Sequence, residues 1–90
     1  MTIIYHPKRF DYNMPPDYAD MLKEAIKHFI THRGRLPDFI AVPLDRLEEA
    51  RVAMEAINID LAKKFHNEPI PVEGSPGGIL SNEIWPGWVE

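Results

Sequence analysis

Cysteine is absent from this 90-residue chain, which excludes disulfides, thiolate metal sites, iron–sulfur clusters and cysteine nucleophiles. No apolar run approaches the roughly 20 residues that a membrane-spanning helix needs. The N-terminus also lacks the basic and then apolar pattern of a secretory signal. We therefore expect a cytoplasmic protein without a membrane partner.

Positive charge is missing from the C-terminal part of the chain. Residues 1–64 contain ten Lys and Arg and ten Asp and Glu, whereas residues 65–90 contain four glutamates and no Lys or Arg. The formal net charge of −4 therefore lies in that last segment. Nucleic-acid binding needs clustered cations, and the chain offers only Lys8-Arg9 and the short group at 32–35. The pattern argues against a nucleic-acid partner.

Two stretches have the apolar periodicity of amphipathic helices. The first follows Asp17, which suits the N-cap position, and ends before Gly34, which suits the left-handed residue after a helix. The second begins near Asp45 and extends to about Phe65, with Asn58 as a weak helix former inside it. The sequence thus predicts two packed helices.

Short β-prone runs accompany these helices. The central one is Phe39–Val42, a continuously apolar run between Pro37 and Pro43, as expected of a strand covered on both faces. Ile3–Tyr5 could form an edge strand, and residues 69–84 read as a hairpin of Ile70–Glu73 and Ile79–Ile84 around a glycine-rich turn. We predict one α+β domain over 1–90, in which two amphipathic helices pack on a small mixed β-sheet with a C-terminal β-hairpin. Residues 1–16 form an extended N-terminal segment and residues 85–90 a tryptophan-containing tail.

One helix face carries candidate metal ligands. Glu24, His28 and His32 are spaced by four residues in the first predicted helix, so they follow one another along one side. Two histidines one turn apart can bind one metal ion, and a glutamate one turn earlier could add a third ligand. A solvated polar face is the competing interpretation, because no glutamate lies between the histidines as in the zinc-peptidase helix.

The C-terminus carries candidate partner-binding residues. Trp85 and Trp88 are separated by Pro-Gly and flanked by Glu83 and Glu90. Tryptophans near a terminus can anchor a partner through their large area, and the glutamates would suit a basic surface. The competing interpretation is that both indoles fold back onto the small core.

The order of the elements resembles a known family. A helix, Gly34, the run 37–43, a second helix, the run 69–72 and a turn at Gly77-Gly78-Ile79 resemble the apical domain of tailed-phage major capsid proteins and encapsulins. The resemblance implies a phage or mobile-element origin. The long spine helix and extended arm that shell building requires in that family are missing from this chain.

These observations favour a non-enzymatic protein-interaction or assembly domain that binds a protein partner or itself and needs no cofactor. One alternative is a small metal-dependent enzyme that uses His28 and His32. Another is an acidic inhibitor of a host enzyme, which would mimic an anionic ligand.

Overall fold

A computed structural model of the chain describes residues 2–11, 17–75 and 78–90. The described helices are α1 (Tyr18–Arg33) and α2 (Leu47–Phe65), and a short 3₁₀ turn (Leu44–Arg46) precedes α2. The described strands are β1 (Ile3–Tyr5), β2 (Lys8–Arg9), β3 (Phe39–Pro43), β4 (Val72–Ser75) and β5 (Glu83–Val89). The predicted α+β class, with two helices on a mixed sheet, is confirmed.

The sheet is ordered β1-β5-β3-β4, and β2 continues the β1 side by pairing with the start of β5. Strands β3 and β4 are parallel, since α2 forms the crossover between them, and the pairings with β5 are antiparallel. All five residues of β3 are buried, as the continuous apolar run predicted. β4 lies at an edge, as expected from Pro69 and Pro71, which donate no backbone hydrogen bond.

Both helices pack against one face of the sheet. The core joins apolar side chains of α1 and α2 with Ile40, Val42 and Ile84 from the two central strands. Residues of a strand alternate between its faces, so Phe39, Trp85 and Gly87 point to the helix-free face. In the described part of the chain, the fold thus has one apolar interior between helices and sheet, and a second sheet face on which no described helix packs.

The helix ends follow the sequence signals only in part. Asp17 caps α1 by accepting a hydrogen bond from the Ala19 amide at 3.3 Å, and Gly34 follows the helix with φ of 70°. In contrast, Asp45 lies in the 3₁₀ turn, and no side chain caps the start of α2. α2 continues without a break through Asn58 and ends at His66, whose φ of 54° is left-handed.

Two details of the C-terminal prediction are wrong. β4 and β5 do not form a hairpin, because β3 lies between them. The last strand also begins at Glu83 and continues to Val89, so residues 85–89 of the predicted tail belong to a central strand. Of the predicted extended segment and turn, residues 1, 12–16 and 76–77 lie outside the described part.

Pro86 and Gly87 misled the sequence prediction, since both are rare in central strands. The carbonyl oxygen of Pro86 accepts a hydrogen bond from the His6 amide at 2.8 Å. N and O of a strand residue point to the same side, so the missing Pro86 N–H faces the place where β1 ends before Pro7. The ladder between β1 and β5 therefore lacks one hydrogen bond, at the end of β1.

Neither described helix combines the length and the hydropathy that crossing a membrane would require.

Candidate metal centre

His6 follows strand β1, and the sequence interpretation did not connect it with His28 and His32. The antiparallel register of β1 with β5 places Tyr5 opposite Gly87, and the bond from the His6 amide to Pro86 extends this pairing by one residue. Because side chains alternate along a strand, Tyr5 points to the helix-free face and His6 points towards α1. The His6 ring contacts Phe29 edge to face, with the ring centroids 5.9 Å apart.

Helix α1 supplies the other two histidines. His28 and His32 are one turn apart and their ring centroids are separated by 4.1 Å. Nδ1 of His32 lies 2.9 Å from the carbonyl oxygen of His28. A carbonyl oxygen can only accept, so Nδ1 of His32 donates, and its Nε2 keeps the lone pair that a metal ion requires.

Together His6, His28 and His32 form what we call the histidine cluster. Each offers one ring nitrogen, and these three nitrogens lie within 4.8 Å of one another. Nε2 of His6 and Nδ1 of His28 are 3.0 Å apart and share a hydrogen bond. Two histidine nitrogens bound tetrahedrally to Zn²⁺ would be about 3.3 Å apart. Binding of one ion would displace the proton of this hydrogen bond, and the rings would move until the three nitrogens are about this far apart.

The surroundings favour neutral imidazoles. Burial lowers the pKa of His6, and the neighbouring charges of His28, Arg33 and His32 lower it further. Burial also lowers the pKa of His28, as do His32 and Lys8, against an opposing effect of Glu24. At neutral pH both rings are therefore uncharged, and the neutral imidazole is the form that binds metal.

Glu24, predicted as a third ligand, lies outside the cluster, whose converging ligand atoms belong to the three histidines alone among the described residues. It is exposed one turn before His28 and acts on that ring through its charge. The fourth histidine of the chain, His66, follows the C-terminus of α2 and does not belong to the cluster.

The residues predicted to bind a partner lie in or beside β5. Trp88 is only 8% exposed, because its ring packs edge to face on Phe29 at 5.3 Å and Arg33 covers it at 4.8 Å. Trp85 is partly buried on the opposite face, where its ring lies 5.5 Å from Tyr5. The tryptophans are thus on opposite sides of one strand.

The two glutamates of that prediction also form hydrogen bonds within the chain. Glu83 begins β5, and its Oε1 accepts a hydrogen bond from the Leu80 amide at 3.0 Å. Glu90 is exposed, and its amide donates to the carbonyl oxygen of Thr2 at 2.9 Å. Because Trp85 and Trp88 lie on opposite faces of β5, the four residues do not share one surface.

His6 directly follows a predicted edge strand, and this position alone does not mark it as a ligand. Nothing in its spacing connects it with α1, which begins 12 residues later. Only the antiparallel pairing of β1 with β5 brings it to His28.

No protein family, curated protein or solved structure was found to match this chain. The resemblance to the capsid and encapsulin apical domain therefore stays a prediction, and function has to be argued from the geometry.

Proposed function

We propose that this domain binds one divalent transition-metal ion, such as Zn²⁺, through His6, His28 and His32. The observation that carries the proposal is the convergence of three histidine nitrogens within 4.8 Å from two separate elements. Two histidines one turn apart on a helix can occur by chance, so the pair alone does not indicate a metal site. The third histidine, His6, comes from a separate element and shares a 3.0 Å hydrogen bond with His28, which completes a set of three nitrogen ligands.

The donor type selects the class of metal. Imidazole nitrogen suits Zn²⁺, Cu²⁺ and Ni²⁺, whereas Mg²⁺ and Ca²⁺ prefer oxygen ligands. Outer contacts support this donor set, because the hydrogen bond from His32 to the His28 carbonyl fixes a tautomer and a ring orientation, as is usual for histidines bound to metal.

The proposal ends at metal binding. Three histidines leave one position of a tetrahedral ion for water, as in catalytic zinc sites. Hydrolysis would also need a positioned base, and the nearest carboxylate along α1, Glu24, is exposed. We therefore propose metal ligands, and no catalytic base, for the alternative of a metal-dependent enzyme.

Metal binding can be tested by equilibrium dialysis and thermal melting with Zn²⁺. We expect one ion per chain and a melting temperature that rises with the free Zn²⁺ concentration. At a free Zn²⁺ concentration of 100 times the dissociation constant, binding adds about 2.7 kcal/mol to the free energy of unfolding. We expect His28→Gln and His6→Ala each to weaken binding by at least about 100-fold, because each removes a ligand and loss of an outer contact alone costs about 10–100-fold.

His66→Asn is the matched control. It removes a histidine outside the cluster, and asparagine tolerates the left-handed conformation at this position. Circular dichroism checks that every variant is folded. A wild-type protein that takes up no stoichiometric Zn²⁺ would overturn the proposal. So would folded His6→Ala and His28→Gln variants that bind as tightly as His66→Asn.

A further inference from the structure

The outer side of α2 carries an exposed apolar ridge. Val52 is 63% exposed and Ile59 is 60% exposed, and seven residues of helix bring them to the same side about two turns apart. Glu48 and Glu55 lie on this same side and are also exposed. We call Glu48, Val52, Glu55 and Ile59 the α2 ridge. Buried Ala50, Met54 and Ile57 face the core on the opposite side of the helix.

A groove between α1 and α2 has the complementary character. It has a volume of about 550 Å³ and is open to solvent. Its apolar lining includes Ile26 and Ile57, which are buried, and Phe65, which is 47% exposed. Lysines predominate among its charged residues, which are Lys23, Lys27, Lys64 and Asp60. We call this surface the α1–α2 groove.

The ridge and the groove match in length and in charge. Val52 and Ile59 span about 10 Å along the helix axis, and the residues of α2 that line the groove, 57 to 65, span about 12 Å. Helices pack when the ridge of one enters the groove of another. The glutamates of the ridge would then meet the lysines of the groove.

We propose that a second copy of this chain docks its α2 ridge into the α1–α2 groove of the first. The groove is open to solvent, so it can cover one side of a helix, whereas small-molecule sites enclose most of their ligand. Ridge and groove are different surfaces, and we propose that they meet head to tail, so that each added copy leaves one free ridge and one free groove. This inference goes beyond metal binding and uses none of the three histidines.

The contact can be tested by sedimentation and light scattering over a concentration series. EDTA is present to remove metal bridges between histidines. We expect the average mass of the wild type to rise with concentration beyond that of a dimer. A ridge variant, Val52→Lys/Ile59→Lys, places lysines against the lysines of the groove. A groove variant, Lys64→Glu/Phe65→Ser, removes the exposed aromatic and reverses a charge. Both changes are at exposed positions, so both variants should fold and remain monomeric.

Mixing the two variants gives the sharpest result. The ridge variant keeps an intact groove and the groove variant keeps an intact ridge, so an equimolar mixture should form a one-to-one dimer and nothing larger. Leu80→Lys is the control, because it makes the same kind of change at another exposed apolar residue and should associate like the wild type.

Three outcomes would overturn the inference. One is a wild type that stays monomeric at the highest concentration. Another is a mixture of the folded variants that forms no dimer. The third is native mass spectrometry that finds a co-purified lipid on the wild type and none on the groove variant, which would assign the groove to a lipid instead.

Discussion

Asn58 shows how much one polar residue decides in this small domain. It lies inside α2, where its side chain neither caps nor breaks the helix. Its Oδ1 accepts from the Ile70 amide at 2.9 Å, and its Nδ2 donates to the Ile70 carbonyl at 3.2 Å. The amide thus takes the place of a strand partner for the residue that leads into β4. A residue that looks unfavourable for a helix is retained for a tertiary contact.

Replacing this amide should therefore destabilise the fold. We expect Asn58→Ala to lower the free energy of unfolding by about 1–3 kcal/mol, because both backbone groups of Ile70 lose their partner in a partly buried place. Asn58→Asp keeps the acceptor and should lose less.

Urea denaturation measures both Asn58 variants, with Asn67→Ala as the control, since the described hydrogen bond of Asn67 is an exposed one to the carbonyl oxygen of the adjacent Glu68. If Asn58→Ala were no less stable than Asn67→Ala, the contact to Ile70 would have no such role.

At the scale of the element, β5 depends on a glycine that lies between two aromatic rings. Gly87 pairs with Tyr5 on one side and with Phe39 on the other. The rings of these two residues meet edge to face at 5.7 Å, and a Cβ at Gly87 would lie 2.4 Å from the Phe39 ring. Aromatic side chains thus cover the glycine, which lets a Pro-Gly pair occupy a central strand.

A side chain at this position should be poorly tolerated. We expect Gly87→Ala to cost about 1–3 kcal/mol of stability through overpacking. In a Phe39→Ala background the same substitution should cost less, because the ring that it strikes is gone. A double-mutant cycle of unfolding free energies measures the difference, and two strictly additive effects would show that Phe39 is not what excludes the side chain.

For the whole molecule, β5 is the strand on which the other parts meet. β1, β2 and β3 all pair with it, and its Trp88 packs on α1. The histidine cluster depends on it as well, because pairing with β5 is what holds His6 opposite His28. The last strand of the chain therefore joins the sheet, the core and the proposed metal centre.

Shortening the chain tests this dependence. We expect a chain that ends at Ile84 to lose cooperative unfolding and Zn²⁺ binding together, since it removes most of a central strand. A chain that lacks only Glu90 should retain both, as that residue follows the strand. Circular dichroism melts and Zn²⁺ dialysis provide the readouts. A chain that ends at Ile84 and still folds would show that the fold does not depend on residues 85–90.

The sequence by itself determined α1, the body of α2 and the central strand β3. The apolar stripes, Asp17 and Gly34 specify the extent of α1, because caps and periodicity act over one or two turns. Residues Phe39–Val42 indicate a covered strand for a similar reason, since four consecutive apolar residues need partners on both faces. Two of the three residues of the candidate site, His28 and His32 on α1, were also predictable, because residues four apart on a helix are neighbours.

Only the tertiary structure decided the rest. Pro86 and Gly87 oppose a strand locally, and the pairings of β5 with β1 and β3 outweigh that preference. The same pairings separate Trp85 from Trp88 and bring His6 to α1, across a sequence distance that no spacing rule covers. The partners of β5 are remote in sequence, so strand order and the third histidine depend on contacts that form only when the whole chain has folded.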